Sequence, residues 1–168
     1  YIDAPPGLER MMAFLDFSLL KTRLHRWKFN LRTGITTEED ICDETIEFGV
    51  INQHIAGIEH QYTYSMIPTK GHFTFDGITK HDHQKNSLSK YIFPEHVFIS
   101  EVSFAPKTGA IDEDDGYLVT ISNDVKEKSS SCLLFDAKNI ELGPVCEIPL
   151  PHQICSGTHA TWAQKSDL

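Results

Sequence analysis

The sequence predicts an all-β fold built from the blades of a β-propeller. Short apolar runs rich in β-branched and aromatic residues recur along most of the chain, and several alternate apolar and polar residues as half-buried strands do. Clusters of Gly, Pro, Asn, Asp and Ser separate these runs at the spacing of about 8 to 12 residues that is typical of consecutive strands in all-β proteins. Strand pairs that recur at such intervals favour a propeller over a sandwich.

The candidate strands and turns follow one another along the chain. The strand candidates are RLHRWKFNL (23–31), TIEFGVI (45–51), HQYTYSMI (60–67), GITKHD (77–82), SKYIFP (89–94), EVSFAP (101–106), GYLVTIS (116–122), CLLFDA (132–137) and VCEIPL (145–150). The turn candidates are RTG (32–34), PTKG (68–71), HDHQKNS (81–87), PKTGAIDEDDG (106–116) and NDVKEKSSS (123–131). Together they predict a meander of short strands.

The length of the chain limits how much of a propeller it can form. A four-stranded blade takes roughly forty residues, so the 168 residues form about four blades at most. Because an open arc of blades leaves apolar edges exposed, we expect further blades upstream of Tyr1. The only helix candidate is GLERMMAFLDFSLLKT (7–22), which fits a helical stripe loosely. Its Met and aromatic residues could contact a membrane or an apolar substrate, but packing against the propeller is the expectation.

Composition and charge are those of a soluble globular protein. The net charge of −9 argues against nucleic acid as a partner, because phosphate binding needs clustered Lys and Arg. No apolar run approaches the roughly 18 to 20 residues of a membrane span. The cysteines show neither metal-site spacing nor disulfide density, so we expect them to be reduced and mostly packed. No signal-peptide pattern is present, which makes the cytoplasm the expected location.

Several stretches resemble one protein family. LHRWKFNLRTG, IEFGVINQHIAGIEHQYTYS, FDGITKHD, SEVSFAPKTGAIDEDDGYLVTIS, LLFDAKNIE and IPLPHQICSGTHATWA occur in the order found in the C-terminal part of carotenoid cleavage oxygenases. That family includes dioxygenases that cleave apocarotenoids and stilbenes. The resemblance covers nearly the whole chain and is weakest before residue 20, and the ending SGTHATWA is most similar to bacterial members.

The resemblance implies a seven-bladed β-propeller with non-haem Fe(II) on its axis, held by four histidines. Residues 1–168 would then be the C-terminal part of a single oxygenase domain. It further implies that His159 is the last iron ligand, and that Glu47 and Glu101 are carboxylates that hold other ligating imidazoles. The remaining three histidines and a third glutamate would lie upstream of Tyr1.

These residue types suit iron chemistry. Imidazole binds Fe(II) well, and a ligating imidazole needs a carboxylate or carbonyl at its other ring nitrogen. Glu47 and Glu101 each stand between apolar residues, where an unpaired carboxylate is costly. Gly157 would let the backbone approach the crowded axis, and Trp162 would pack behind the strand. From the pattern alone, however, His159 is a loop histidine and the two glutamates are solvated strand residues.

Other candidates for a metal or a partner site have simpler explanations. His81 and His83 lie two residues apart and could hold a metal on one strand face, but the turn residues after them favour a solvated hairpin loop. The acids of IDEDDG (111–116) lack the spacing of a calcium loop and are expected to cap backbone amides. The remaining histidines considered are expected to be structural or exposed; they are His54, His60, His72, His96 and His152.

Three residues depart from the family pattern. Gly49 stands in place of proline, Ile58 in place of arginine, and Thr158 in place of the aromatic residue before the ligand. The last two could alter the pocket without removing His159.

Two functions follow as hypotheses. In the first, the chain is the C-terminal section of an Fe(II) dioxygenase that uses O2 to split a conjugated alkene, carotenoid-derived or stilbene-like, into two carbonyl products. The substrate would be an apolar small molecule, and peripheral membrane contact could aid its uptake. In the alternative, the chain is a non-catalytic propeller fragment that acts as a binding or structural module.

Overall fold

The computed structural model describes residues 22–71, 74–155 and 157–165, and these residues form an all-β structure. Its strands are β1 (His25–Phe29), β2 (Thr36–Asp40), β3 (Glu47–Val50), β4 (Tyr62–Pro68), β5 (Phe75–Asp82), β6 (Ser87–Ile92), β7 (Val97–Ile99), β8 (Ser103–Pro106), β9 (Gly116–Asp124), β10 (Ser129–Asp136) and β11 (Pro144–Pro149). Short 3₁₀ turns span Gln53–Ile55 and Ile140–Leu142. Every strand candidate from the sequence is present as a strand, and β2 and β7 were missed. His72 and the helix candidate, except for Thr22, lie outside the described residues.

Two antiparallel meanders of four strands make up most of the molecule. Strands β3, β4, β5 and β6 pair in that order, and strands β8, β9, β10 and β11 do the same. Strand β7 joins the meanders, because Ile99 pairs with Phe75 of β5 and with Ser122 of β9. Strands β1 and β2 form a separate hairpin. The sheets are open, and each meander has the size and connectivity of one propeller blade.

The hydrophobic core lies where the two meanders meet. Tyr64 of β4 stacks on Phe104 of β8 with ring centroids 5.8 Å apart, and its hydroxyl donates to the carbonyl of Ala137 at 3.2 Å. An edge-to-face contact extends the core, because the ring centroids of Tyr91 of β6 and Phe135 of β10 lie 5.2 Å apart. The strand pattern of alternating apolar residues therefore buries one continuous core shared by both meanders.

The acidic segment 111–116 fastens the two meanders together. The Glu113 carboxylate accepts from the backbone amides of Gln61 and Tyr62 at 2.9 and 2.7 Å, as the expected capping role requires, although the amides belong to the other meander. Asp114 instead pairs with Lys80 of β5 at 2.6 Å, and both side chains are largely buried. Segment 111–116 therefore links the two meanders, and its carboxylates pair with backbone amides and lysine side chains.

The cysteines differ in part from expectation. All four are free, but Cys146 and Cys155 are exposed, so the prediction that they are mostly packed was wrong. Cys146 lies on the outer strand β11, and Cys155 lies in the segment that follows it. No helix in the described ranges is long and apolar enough to span a bilayer.

Candidate metal centre

The segment after β11 returns across the start of β8. The amide of Gly157 donates to Oγ of Ser100 at 3.0 Å, and a Cβ atom added to Gly157 would lie 3.3 Å from the same oxygen. Upstream, the amide of Ile154 donates to Oγ of Ser130 at 3.0 Å. A side chain at position 157 would therefore push the segment away from Ser100, and glycine allows the close approach.

This path brings His159 to Glu101. The Nδ1 atom of His159 lies 3.4 Å from Oε2 of Glu101, and the amide of Ala160 donates to that same oxygen at 2.6 Å. The carboxylate is almost buried, with 11% of its side chain exposed, whereas the His159 side chain is 78% exposed. Glu101 was expected to hold a histidine from outside this chain, and the structure pairs it with His159 instead.

The contact between His159 and Glu101 affects which ring nitrogen is available to a ligand. A carboxylate at Nδ1 keeps the proton there and leaves the lone pair of Nε2 free for a cation. Among the described residues nothing hydrogen-bonds to Nε2 of His159. The ring therefore presents its second nitrogen outward, and the donor chemistry fits a first-row divalent metal.

The Phe48 ring contacts the His159 ring. The two ring centroids are 5.7 Å apart in an edge-to-face contact, and Phe48 makes a second such contact with Phe75 at 5.5 Å. Phe48 adopts φ of +52°, a left-handed conformation that is uncommon for a non-glycine residue. It lies in the irregular pairing between Glu47 and Val50, so the residue with the unusual backbone conformation is the one whose ring contacts His159.

Glu47 stands directly before Phe48 on the same strand. Its backbone pairs with Met66 of β4, and its side chain borders a pocket of about 310 Å³ that Phe48, Gly49 and Ser65 also line. Within the described ranges its carboxylate takes part in no hydrogen bond or ion pair. Glu47 thus lies on the same strand as the residue that contacts His159, as a partly buried acid without a cationic or donor partner in the described part of the chain.

The other residues singled out in the sequence lie at the surface. Trp162 is 47% exposed, so it is half-packed and does not stand fully behind a strand as expected. Ile58 is 66% exposed, and Thr158 is also exposed. Gly49 leaves ordinary van der Waals space for a side chain, since a Cβ atom added there would lie 3.5 Å from Cγ2 of Thr63. None of the three departures from the family pattern disturbs the contact between His159 and Glu101.

Within residues 22–71, 74–155 and 157–165, no second candidate ligand lies beside His159. The part of the chain that the structure describes contains no group of three or more His, Cys, Asp or Glu side chains arranged to hold a metal. These residues therefore supply one imidazole and its carboxylate, and a complete centre would need ligands from elsewhere.

Of the two histidines that the sequence placed on a solvated loop, His81 is buried and His83 is partly buried. His81 is 2% exposed near the end of β5, and the His81 and His83 rings lie 4.7 Å apart. The His83 ring also meets His60 at 5.2 Å. Strand β5 pairs on both sides, with β4 and β6, which is why its last residues are covered.

Hydrogen bonds determine which ring nitrogen of His83 carries the proton. Arg26 of the β1–β2 hairpin donates to Nδ1 of His83 at 3.2 Å, so neutral His83 carries its proton on Nε2. That atom lies 2.8 Å from Oγ1 of Thr63, which in turn lies 3.3 Å from Nε2 of His60. Burial, followed by electrostatic interaction with the neighbouring His81, His60 and Arg26, lowers the pKa of His83 to about 4. His83 is therefore neutral near pH 7, and its contact with Arg26 fixes its tautomer.

Comparisons with known proteins show the family of this chain. The family model of the retinal pigment epithelial membrane protein, RPE65, matches residues 4–164. A carotenoid 9,10(9′,10′)-cleavage dioxygenase from Phaseolus vulgaris is 28% identical over 159 residues, which cover 86% of this chain and 29% of that protein. A carotenoid cleavage oxygenase from Mycobacterium tuberculosis is 30% identical over 146 residues, covering 83% of this chain and 29% of that protein.

Solved structures show the same fold. A cobalt-substituted apocarotenoid oxygenase from Synechocystis superposes with a TM-score of 0.81 at 24% identity, covering 89% of this chain and 32% of that chain. The predicted β-propeller fold is thereby confirmed. This chain spans less than a third of the length of these relatives.

Proposed function

Because this chain belongs to the family of the retinal pigment epithelial membrane protein and the carotenoid cleavage oxygenases, we propose that it is part of an oxygenase that cleaves a conjugated carbon–carbon double bond. The complete protein would form a larger propeller, with residues 1–168 as its C-terminal blades. The reaction would consume one O2 for each alkene and yield two carbonyl products. One atom of O2 would enter each product, so no further oxidant or reductant is needed.

The contact between His159 and Glu101 carries this proposal. Non-haem Fe(II), when bound, would supply the means of activating O2. His159 would bind it through Nε2, while the Glu101 carboxylate would accept a hydrogen bond from Nδ1–H and fix the tautomer. The Ala160 amide holds the carboxylate in place, and the Phe48 ring limits rotation of the imidazole. These groups bind and orient; none of them transfers a proton to the substrate.

Glu47 would likewise accept a hydrogen bond from the imidazole of a ligating histidine that this chain does not contain. Its carboxylate is partly buried and lacks a partner among the described residues, which is a costly state for an acid. An imidazole N–H from another blade would satisfy it. The strained residue Phe48 links this position to His159, so both carboxylates would serve one centre.

A carotenoid-derived polyene is the proposed substrate class. The relatives named above are carotenoid and apocarotenoid enzymes, which favours a polyene over the stilbene alternative. Such a substrate is apolar, and its uptake would involve peripheral contact with a membrane surface. The alternative of a non-catalytic propeller fragment predicts the same fold without turnover.

The direct test is a cleavage assay on the complete protein. The protein is loaded with Fe(II) without oxygen and then exposed to O2 with an apocarotenal or with a hydroxylated stilbene, and the carbonyl products are measured by mass spectrometry. We expect two carbonyl products from the polyene, one O2 consumed per cleavage, and little from the stilbene. Iron-loaded, folded protein that cleaves neither compound would support the non-catalytic alternative.

A further inference from the structure

Two of the free cysteines lie on neighbouring strands of the meander β8–β11. Cys132 of β10 pairs with Ile148 of β11, and Leu134 of β10 pairs with Cys146 of β11. Residues directly opposite one another share a face of the sheet, and so do residues two apart on one strand. Cys132 and Cys146 are therefore diagonal neighbours on one face, with Leu134 and Ile148 at the other two corners.

The two thiols influence each other electrostatically. Burial, followed by the charge of the neighbouring Cys146, raises the pKa of the Cys132 thiol. A second thiolate therefore forms beside the first at a cost, because like charges repel. A cation between the two sulfurs offsets this repulsion, since it replaces the protons and attracts both thiolates.

The separation of the two side chains suits a bridging ion better than a disulfide. Diagonal neighbours of an antiparallel pair have Cα atoms about 7–8 Å apart and Cβ atoms somewhat closer. A disulfide needs Cβ atoms about 3.8 Å apart, so the backbone of β11 would have to move. Two thiolates that each lie about 2.3 Å from one ion span about 4.6 Å between their sulfurs, which bridges the diagonal with the backbone in place.

The surroundings of the pair select the ion. Among the described residues no group of three or more His, Cys, Asp or Glu side chains is arranged to hold a metal, so a third ligand of these types is lacking there. Structural Zn²⁺ takes four ligands, and Ca²⁺ and Mg²⁺ need oxygen ligands that Leu134 and Ile148 do not supply. Cu(I) is a soft ion that prefers thiolates, and two of them in line can hold it.

The pair is remote from the candidate metal centre. Strand β11 is the third strand from β8, and strands lie about 4.8 Å apart, which gives about 14 Å between the two. His159 contacts Glu101, which comes just before β8. Every residue of β11 is exposed, so an ion can reach the pair without passing His159.

We propose that Cys132 and Cys146 form a site for one Cu(I) ion, which bridges the two thiolates on β10 and β11. Each thiol releases its proton when the ion binds, and no electron is transferred. The site uses neither iron nor O2, so it stands or falls apart from the proposed oxygenase function.

Competition with a coloured Cu(I) chelator measures the site directly. The complete, iron-loaded protein is reduced, freed of reductant and added under nitrogen to the Cu(I) complex of bicinchoninate, whose absorbance falls as the protein removes the ion. We expect the wild type to remove one Cu(I) per chain through this pair of cysteines.

Substitutions test whether both thiolates are ligands. Cys132→Ser and Cys146→Ser should each weaken this binding by about 100-fold or more, because a single thiolate cannot complete a two-ligand site. Cys42→Ser is the control for the half-buried Cys132, and Cys155→Ser is the control for the exposed Cys146. Both controls should bind Cu(I) as the wild type does, and thermal midpoints show whether each variant folds.

A second measurement needs no variant. The rate at which iodoacetamide alkylates each of the four cysteines in the wild type is followed by peptide mass spectrometry, with and without an equivalent of Cu(I). We expect Cu(I) to slow alkylation severalfold at Cys132 and Cys146 and to leave Cys42 and Cys155 unchanged. Zn²⁺ at the same concentration should protect the pair much less.

Any of three results would overturn the proposal. The first is a wild type that removes no Cu(I) from the chelator, and the second is unchanged uptake in both Cys132→Ser and Cys146→Ser. The third is alkylation of the pair that Cu(I) slows no more than that of the other two cysteines, or no more than Zn²⁺ does.

Discussion

Glu101 lies at the start of the second meander with one carboxylate oxygen 3.4 Å from Nδ1 of His159 and 2.6 Å from the backbone nitrogen of Ala160. The same oxygen therefore contacts the imidazole and fixes the backbone that carries it. Loss of the charge at position 101 should disturb both the imidazole and this backbone.

Glu101→Gln in the complete protein should lower metal affinity or turnover by about 10- to 100-fold, because the neutral amide supports the imidazole less well. Metal content after dialysis and initial rates measure the effect. Glu147→Gln, at an exposed acid of β11, serves as the control. A Glu101→Gln protein with wild-type occupancy and rate would show that the carboxylate is only structural.

Glu47→Gln should have a similar effect of about 10- to 100-fold on metal affinity or turnover if an imidazole from outside this chain binds that carboxylate. The fold should be retained, because no described contact depends on the charge. Circular dichroism measures whether the fold is retained, and metal content measures the effect on metal affinity. Unchanged metal binding would make Glu47 an ordinary strand acid.

The buried pair between Lys80 and Asp114 should matter for stability and not for chemistry. Asp114→Ala should lower the free energy of unfolding by about 3 kcal/mol, because it leaves the Lys80 ammonium buried without its counter-ion. Denaturant titration measures the loss. Asp112→Ala removes an acid that is 66% exposed and pairs with Lys138, and it should change stability much less. Equal effects of the two substitutions would contradict the account.

The histidine cluster predicts how stability depends on pH. The pKa of His83 is about 4 in the folded protein and near 6.5 when unfolded, so between these values the unfolded state binds more protons. The contribution of His83 to stability is thus complete above pH 6.5 and is lost as the pH falls toward 4. His83→Gln should flatten this part of the stability curve, and unfolding midpoints between pH 4 and 7 measure it. The prediction fails if the variant and the wild type show the same slope.

The strand pattern predicted most of the strands, because the alternation of apolar and polar residues is a local property of the sequence. Strand β2 was not predicted because its residues, TTEED, are all exposed. Polar contacts across the hairpin stabilise it, such as the contact of Arg26 with Glu39 at 3.1 Å. Strand β7 is only three residues long and follows a proline-containing turn. Neither carries the alternation that marks a half-buried strand.

Contacts between distant residues could not be predicted from local patterns. The sequence identified Glu101 and His159 through their family motifs, but nothing in either motif shows that the two meet. The burial of His81 likewise depends on strands β4 and β6 covering β5, whereas the turn residues after it indicated an exposed loop. Trp162 was assigned a packed position that its neighbours in this structure only half provide.

The metal content of two histidine variants of the complete protein tests whether His159 is a ligand. We predict that His159→Ala loses bound metal and alkene cleavage while its thermal midpoint stays close to that of the wild type, because the side chain is 78% exposed and makes few apolar contacts. His152→Ala, at an exposed histidine of the same segment, should keep both metal and activity. Full metal occupancy and turnover in His159→Ala would contradict this account.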